Sequence, residues 1–523
     1  MMRRIVFSLF LLILLAPSCI EEDHANPVKR DCLTIVQTSD IFTLDPHTFS
    51  ETVTASLLNN IMEPLVKLDR NLNIDREGSL ARGWTNPDDR TWRFHIRPGV
   101  RFHNGFALTA FDVKASIERA KNHPLTDIGG GLGNIASIVA EDDTTLCISM
   151  KEPSAILIPI LSDCLIMPKE QAEKWKDDQI DETPVGTGPY TLASWERGET
   201  VELASFDDYW GGLPEFERVS VRAVKDPQAR VDLITSGKAD LVVDIPVEMV
   251  ESVRKQQGVK VIAQEGLRVI YLGFDVGREE SPFVSAVPNP FKDRRVREAI
   301  ARAIDEEKIV REILQGYGRP ATQFCAPGVF GFNPELDRIP FDPVRARELL
   351  AEAGYADGFS LTLHCPNNRY VQDEETGAMI AEHLRNIGLD VTFEPLPKEI
   401  FLPGVAERKY SLFLVGWDCP EGDASTVFVD CLHSMDGGEY GYFNAGDYRN
   451  EALDALIDSI ETSMDPLERA QLLEEAQELG MRDIPWVPLH IEVNLYGVRD
   501  DLIFAPRLDK QVFLSEISRR RAA

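Results

Sequence analysis

The stretch Gly416–Ser425, GWDCPEGDAS, crowds Trp417, Asp418, Cys419, Glu421 and Asp423 together. Such a set could do acid–base work through paired carboxylates, form a metal or redox centre, or make one wall of a binding pocket. The first two chemistries need partners at telling distances. The chain contains no H-E-x-x-H, C-x-x-C, G-x-x-x-x-G-K-[ST] or G-x-S-x-G pattern. One dinucleotide-like string, GLGNIA from Gly131 to Ala136, follows the polar NHPLTDIGG rather than a buried strand, and so reads as a Gly-rich loop. His103 beside the Asn104-Gly105 turn has no second histidine at ligand spacing and reads as structural. His433 with Asp436 matches no common metal pattern. No catalytic residue, metal site or cofactor is therefore expected, and the chain is not expected to be an enzyme. Cys419 and Cys431 are close enough in sequence to be a candidate disulfide, with Cys147 and Cys164 a weaker candidate.

The elements that must position these residues are mixed α and β. CLTIVQ is a short β-type run, and TWRFHI places Trp92, Phe94 and Ile96 on one face at period two. Thr109 with Asp112 three residues on forms a capping-box start for a helix carrying Val113, Ile117 and Ala120. From Val201 the pattern runs strand, strand, helix DPQARVDLITSG, strand ADLVVDI, the ingredient of an α/β lobe. Asp342-Pro343 opens a helix that Gly354 closes, and Asp465-Pro466 opens one expected to end at Gly480. FSLTLHC and GLDVTFEPL read as strands flanking the helix TGAMIAEHLRNIG.

A chain of 523 residues is too long for one compact core. Its formal net charge of −31 would repel nucleic-acid phosphates, so no nucleic-acid partner is expected. The N-terminus, MMRRIVFSLFLLILLAPSCIEED, has a charged start, a short apolar run and small residues leading to Cys19. It reads as a secretory signal, too short for a comfortable membrane span. Residues 1–18 are the expected signal peptide and 19–31 a polar tether. The small residue directly before Cys19 resembles a lipobox, which implies lipidation of Cys19 and a membrane anchor.

TLDPH, MEPLVKLD, LARGW, WRFHIRPGVRFHNGFALTAFDVKASIER and GTGPYTLASW occur in this order, followed by YLGFDV, FKDRRVREAIARAID, GRPATQFCAPG, AGYADGFSL and YRNEALDALI…RDIPWVPLH. The ordered set, over about residues 33 to 515, resembles the solute-binding family 5 proteins of ABC importers, the dipeptide-, oligopeptide- and nickel-binding group. The chain departs from that pattern at Asn104, where the family usually has Asp, and in IMEPL, which lacks the usual Tyr.

The resemblance implies an α/β, two-lobed periplasmic-binding-protein-like fold (class II type) with an extra domain inserted in the first lobe. It places lobe I at 32–68, 187–275 and 484–523, the inserted domain at 69–186 and lobe II at 276–483. It implies capture of a small solute, with a short peptide leading, by hinge closure, and delivery to an ABC permease with cytoplasmic ATPase subunits. A nickel chelate, sugar, opine or haem is the alternative ligand, and a surface sensor without a transport role the alternative function. An extracytoplasmic monomer is expected.

The resemblance also nominates residues. In dipeptide-binding relatives a Gly-Trp followed by Gly-Asp lines the cleft, which maps to Gly416-Trp417 and Gly422-Asp423. There Asp423 would take a ligand ammonium and Trp417 would offer an apolar or cation–π wall, with Asp418 beside them. The family usually continues with Pro where Ala424 stands. Asp423 as a helix cap and Trp417 as plain core stay open. CPNNRYVQDEET resembles the stretch that places an arginine against a ligand carboxylate, which nominates Arg369, with Tyr370 as a weaker contact candidate; a surface or structural Arg369 stays open.

Overall fold

The computed structural model describes residues 32–48, 51–124, 126, 129–174, 183–435, 437 and 440–520. The expected signal peptide, the tether and Cys19 lie outside them, as does Asp436.

An 11-stranded mixed sheet runs through the molecule. On one side lie Tyr190–Glu196, Thr200–Ser205, Arg218–Ala223, Cys32–Gln37 and Leu241–Val243. On the other lie Leu412–Trp417, Ser360–Pro366 and Asp390–Leu396. Two long antiparallel strands, Val259–Phe274 and Trp486–Arg499, join the two sides and pair from Val259↔Arg499 to Gly273↔Trp486. The two lobes are thus connected through hydrogen-bonded backbone. The register of this ribbon breaks between Glu265 and Val269, so Gly266, Leu267 and Arg268 bulge from the ladder.

Each lobe builds its own core. Strand Cys32–Gln37 pairs in parallel with Arg218–Ala223 and Leu241–Val243, burying Leu33, Ile35, Val219 and Leu241. In the second lobe Leu272, Ile300, Leu363 and Leu412 share one cluster. A separate four-stranded sheet, ordered Ala81–Asp88, Thr91–Ile96, Thr145–Met150, Ile135–Asp142, packs with the helix Ala110–Asn122 around Phe94, Ile117 and Ile148. Period two in TWRFHI places Trp92, Phe94 and Ile96 in that core, and Thr109 and Asp112 form the capping box.

Two local expectations need correction. The helix opened by Asp465 runs on to Asp483 instead of ending at Gly480. Gly480 serves close packing, because a Cβ there would stand 2.7 Å from the Phe324 ring. The chain turns at Ile484, with φ of 56°. GLGNIA is not a plain loop: it spans the end of a short helix, Gly129–Leu132, and the start of strand Ile135–Asp142.

Candidate ligand-binding cleft

A cleft of about 1680 Å³ opens where the two lobes and the inserted domain meet. This exceeds the roughly 300–1,000 Å³ usual for one small ligand. Arg268, Arg369, Tyr370, Asp418, Glu421 and Asp430 are among the residues that line it, and the lining acids outnumber the bases. Gln372 of the second lobe donates from Nε2 to Glu248 Oε2 of the first at 3.2 Å, so the lobes touch across the opening.

Arg369 and Tyr370 sit in the loop between strand Ser360–Pro366 and helix Asp373–Asn386. Their backbone N–H groups donate to Asp373 Oδ2 at 2.8 and 3.0 Å, which fixes the loop. The Arg369 guanidinium lies 5.4 Å from the Tyr370 ring centroid and is in no salt bridge among the described residues. Gly416 makes room for this arrangement. A Cβ there would stand 2.8 Å from Tyr370 Cε1, 2.8 Å from Ile270 Cδ1 and 3.0 Å from Arg268 Cδ.

The bulge aims Arg268 into the cleft. It pairs with Asp418 at 2.6 Å and with Glu492 at 3.4 Å, and Glu492 Oε1 also accepts the Val371 N–H at 3.1 Å. Burial opposes the guanidinium charge, but the carboxylates of Asp418 and Glu492 more than offset it and hold its pKa above the ordinary value. The loop carrying Arg369 is therefore tied to both crossing strands.

A different arrangement lines another part of the wall. Asp163, Glu421 and Asp430 have no ion-pair partner among the described residues, and Glu421 Oε2 is sealed from solvent without a hydrogen-bond donor. Burial, then the charge of Asp163, pushes the Glu421 carboxyl well up. Burial and Asp509 raise Asp163 to about 7, while burial and Glu461 raise Asp430 to about 7.

The nominated residues thus divide. Arg369, Tyr370 and Asp418 line the cleft, whereas Asp423 and Trp417 do not. Both Asp423 oxygens are held by Arg469, at 2.6 and 2.8 Å, and Oδ1 also accepts from Ser425 N and Oγ. With a side chain 6 % exposed, Asp423 is the buried half of an ion pair and the cap of the turn at Ser425. Its expected role as an ammonium ligand is corrected on that ground. Trp417 packs on Phe443, ring centroids 5.0 Å apart, and belongs to the core behind the wall. Cys419 and Cys431 form no disulfide. Both are free thiols in an apolar cluster, held protonated by burial, and Cys147 and Cys164 are free as well. His103 accepts and donates to the Gly186–Gly188 backbone, a structural role.

Sequence reasoning missed Arg268, Glu492, Asp163 and Asp430. Gly266, a glycine inside a strand pattern, is the one local signal for the bulge that delivers Arg268. Asp163 carried no signal, because it reaches the cleft from a segment far in sequence from Glu421 and Asp430.

Comparison with known proteins agrees with this geometry. The family model for bacterial extracellular solute-binding proteins, family 5 Middle, matches residues 76–439. The glutathione-binding protein GsiB of Salmonella paratyphi A is 30 % identical over 465 residues, covering 87 % of this chain and 88 % of that one. Among solved structures, the periplasmic binding protein DppA of Helicobacter pylori in complex with the peptide STSA superposes with a TM-score of 0.78 at 23 % identity, covering 94 % of this chain and 98 % of that one. NikZ of Campylobacter jejuni in complex with Ni(L-His) gives 0.80 at 22 % identity, covering 94 % and 99 %. The two-lobed α/β architecture, the interlobe cleft and the family model together place this chain among the bacterial extracellular solute-binding proteins of family 5.

Proposed function

We propose that this solute-binding protein captures a short zwitterionic peptide between its lobes. The observation that carries the reading is one cleft lined by both an unpaired guanidinium, Arg369, and an unpaired carboxylate, Glu421. A peptide supplies the two missing charges, a terminal carboxylate for Arg369 and an ammonium for the acidic wall. Burying either end without its partner would be costly, so the pairing selects ligands that carry both. Tyr370 and the Arg268–Asp418 pair supply the rigid floor between them. The ligand would touch both lobes only when they close, and this differential contact drives hinge closure. The closed form docks on an ABC permease served by cytoplasmic ATPase subunits.

The surplus of acids favours neutral or cationic peptides over a ligand with two carboxylates, such as the glutathione named for the GsiB relative. Lipidation of Cys19 would hold the protein, as a monomer, at the outer face of a membrane and raise its concentration near the permease. We divide the chain into lobe I, inserted domain and lobe II at the boundaries given above.

A thermal-shift screen tests the ligand class, since a bound ligand raises the melting temperature with its concentration over Kd. Di- to pentapeptides are expected to raise it. A shift with a sugar or nickel chelate and none with any peptide would sink the proposal.

A further inference from the structure

We propose that the inserted region is a working part of the closing jaw: it is fixed to the first lobe and grips the second through Met464, which latches the closed form around the ligand. The proposal rests on the hinge closure put forward above and adds a contact that holds it shut.

The inserted region is bolted to the first lobe. Arg119, on its helix Ala110–Asn122, donates to Asp45 Oδ1 and to His47 Nδ1, each at 2.8 Å. His47 in turn donates from Nε2 to the Leu165 carbonyl at 2.9 Å. Strand Leu165–Ile166 pairs with Glu63–Pro64 of the first lobe. Arg119 and His47 are both buried, so breaking these contacts would strand a charge and a ring nitrogen away from water. The two parts therefore move as one body.

Its contact with the second lobe is of another kind. Ala155 donates its N–H to the Glu461 carbonyl at 3.4 Å. Glu461 sits in the last turn of helix Glu451–Thr462, and Met464 in the link to helix Pro466–Asp483. Those helices bury Leu453, Ile457, Ile460 and Leu473 in one cluster. Met464 packs instead against the core of the inserted region, the cluster that holds Phe94, Ile117, Ile148 and Leu157. Ile156, Ile160 and Glu461 all line the cleft, so this meeting point lies at its rim. Around Met464 the chain is polar, with Thr462, Ser463 and Asp465. One half-buried apolar side chain and one long backbone hydrogen bond make a contact small enough to part. An unbranched thioether suits a surface that is left and refilled. Gln372 with Glu248 is the matching contact made directly between the lobes. Contacts made only in the closed form favour that form and slow its opening.

Two measurements on the full chain test the latch. Ala155→Cys combined with Glu461→Cys is expected to cross-link on mild oxidation, which neither single substitution does. Adding Met464→Ser is expected to slow that cross-linking about tenfold, in line with the loss of a half-buried apolar side chain. In stopped flow, release of Ala-Ala-Ala is expected to run about tenfold faster in Met464→Ser while association stays within about twofold, since closure contacts act on escape and not on encounter. Met464→Leu should restore the parent release rate. No cross-link, or release untouched by Met464→Ser, overturns the latch and leaves the peptide reading standing. If no peptide binds, the peptide reading falls and the cross-linking rates decide the latch alone: equal rates with and without Met464→Ser overturn it, and slower cross-linking in Met464→Ser upholds it.

Discussion

Two parts of the cleft wall handle charge in opposite ways. Around the hinge ribbon, Arg268 is shared by Asp418 and Glu492, and Glu492 ties the Arg369 loop in place. Farther along the wall, Asp163, Glu421 and Asp430 line the cleft with no ion-pair partner among the described residues. Buried ion pairs are sensitive to removal of one partner, whereas unpaired acids are sensitive to what arrives from outside. The first part is therefore scaffold, and the second is the part that the proposed ligand's own charge would meet.

The sharpest way to break this contrast is to create an unpaired charge where the protein has a paired one. Asp423→Ala strands the buried Arg469 guanidinium and is expected to cost about 3–5 kcal/mol in chemical denaturation. A loss below about 1 kcal/mol would return Asp423 to the list of ligand contacts. Gly416→Ala drives a methyl into Tyr370, Ile270 and Arg268 and should cost about 1–3 kcal/mol, with weaker peptide binding as the floor shifts. Arg369→Gln is expected to lower peptide affinity about tenfold while changing stability by no more than about 0.5 kcal/mol, because its exposed guanidinium lies over the Tyr370 ring without a salt bridge among the described residues. An unchanged Kd would remove Arg369 from the site.

The smallest effect lies in the pH dependence. Folded Asp163 and Asp430 hold their protons up to about 7, against 3.8 for an ordinary aspartate. The native state thus binds more protons than the unfolded chain between those values, and these groups lower stability as pH rises from about 4 to about 7. Asp509 facing Asp163 and Glu461 facing Asp430 act in the same direction. His47 and His490, depressed to about 4 by burial, work oppositely between about 4 and 6.5. Asp163→Asn should flatten the ligand-free decline in melting temperature toward pH 7 relative to the parent chain. A parallel curve would mean that Asp163 is ionised throughout.

Much of the fold was legible in the sequence because it rests on local rules. Thr109 and Asp112, Asp342-Pro343 and Asp465-Pro466 all announce helices that form, and alternation in TWRFHI marks a strand with one buried face. Gly480 misled because a glycine serves packing as readily as termination, and only Phe324, distant in sequence, decides which. The site was legible in part. The loop of Arg369 and Tyr370 carries its own signal in Asp373, which gathers their N–H groups. The role of Asp423 depended on Arg469, 46 residues away and on another helix, which no spacing rule could reveal.

The long strand Trp486–Arg499 sits in the middle of the great sheet, between Leu241–Val243 and Val259–Phe274, yet it lies more than 200 residues beyond either neighbour in sequence. Until it emerges, Leu241 has no Val498 to pair with and Val259 no Arg499. The sheet that holds Cys32–Gln37 is incomplete until Trp486–Arg499, distant in sequence, has paired. Closing loops of that length makes assembly slow and dependent on the whole chain. Removing Trp486–Arg499 would take the keystone from a lobe whose other strands all remain.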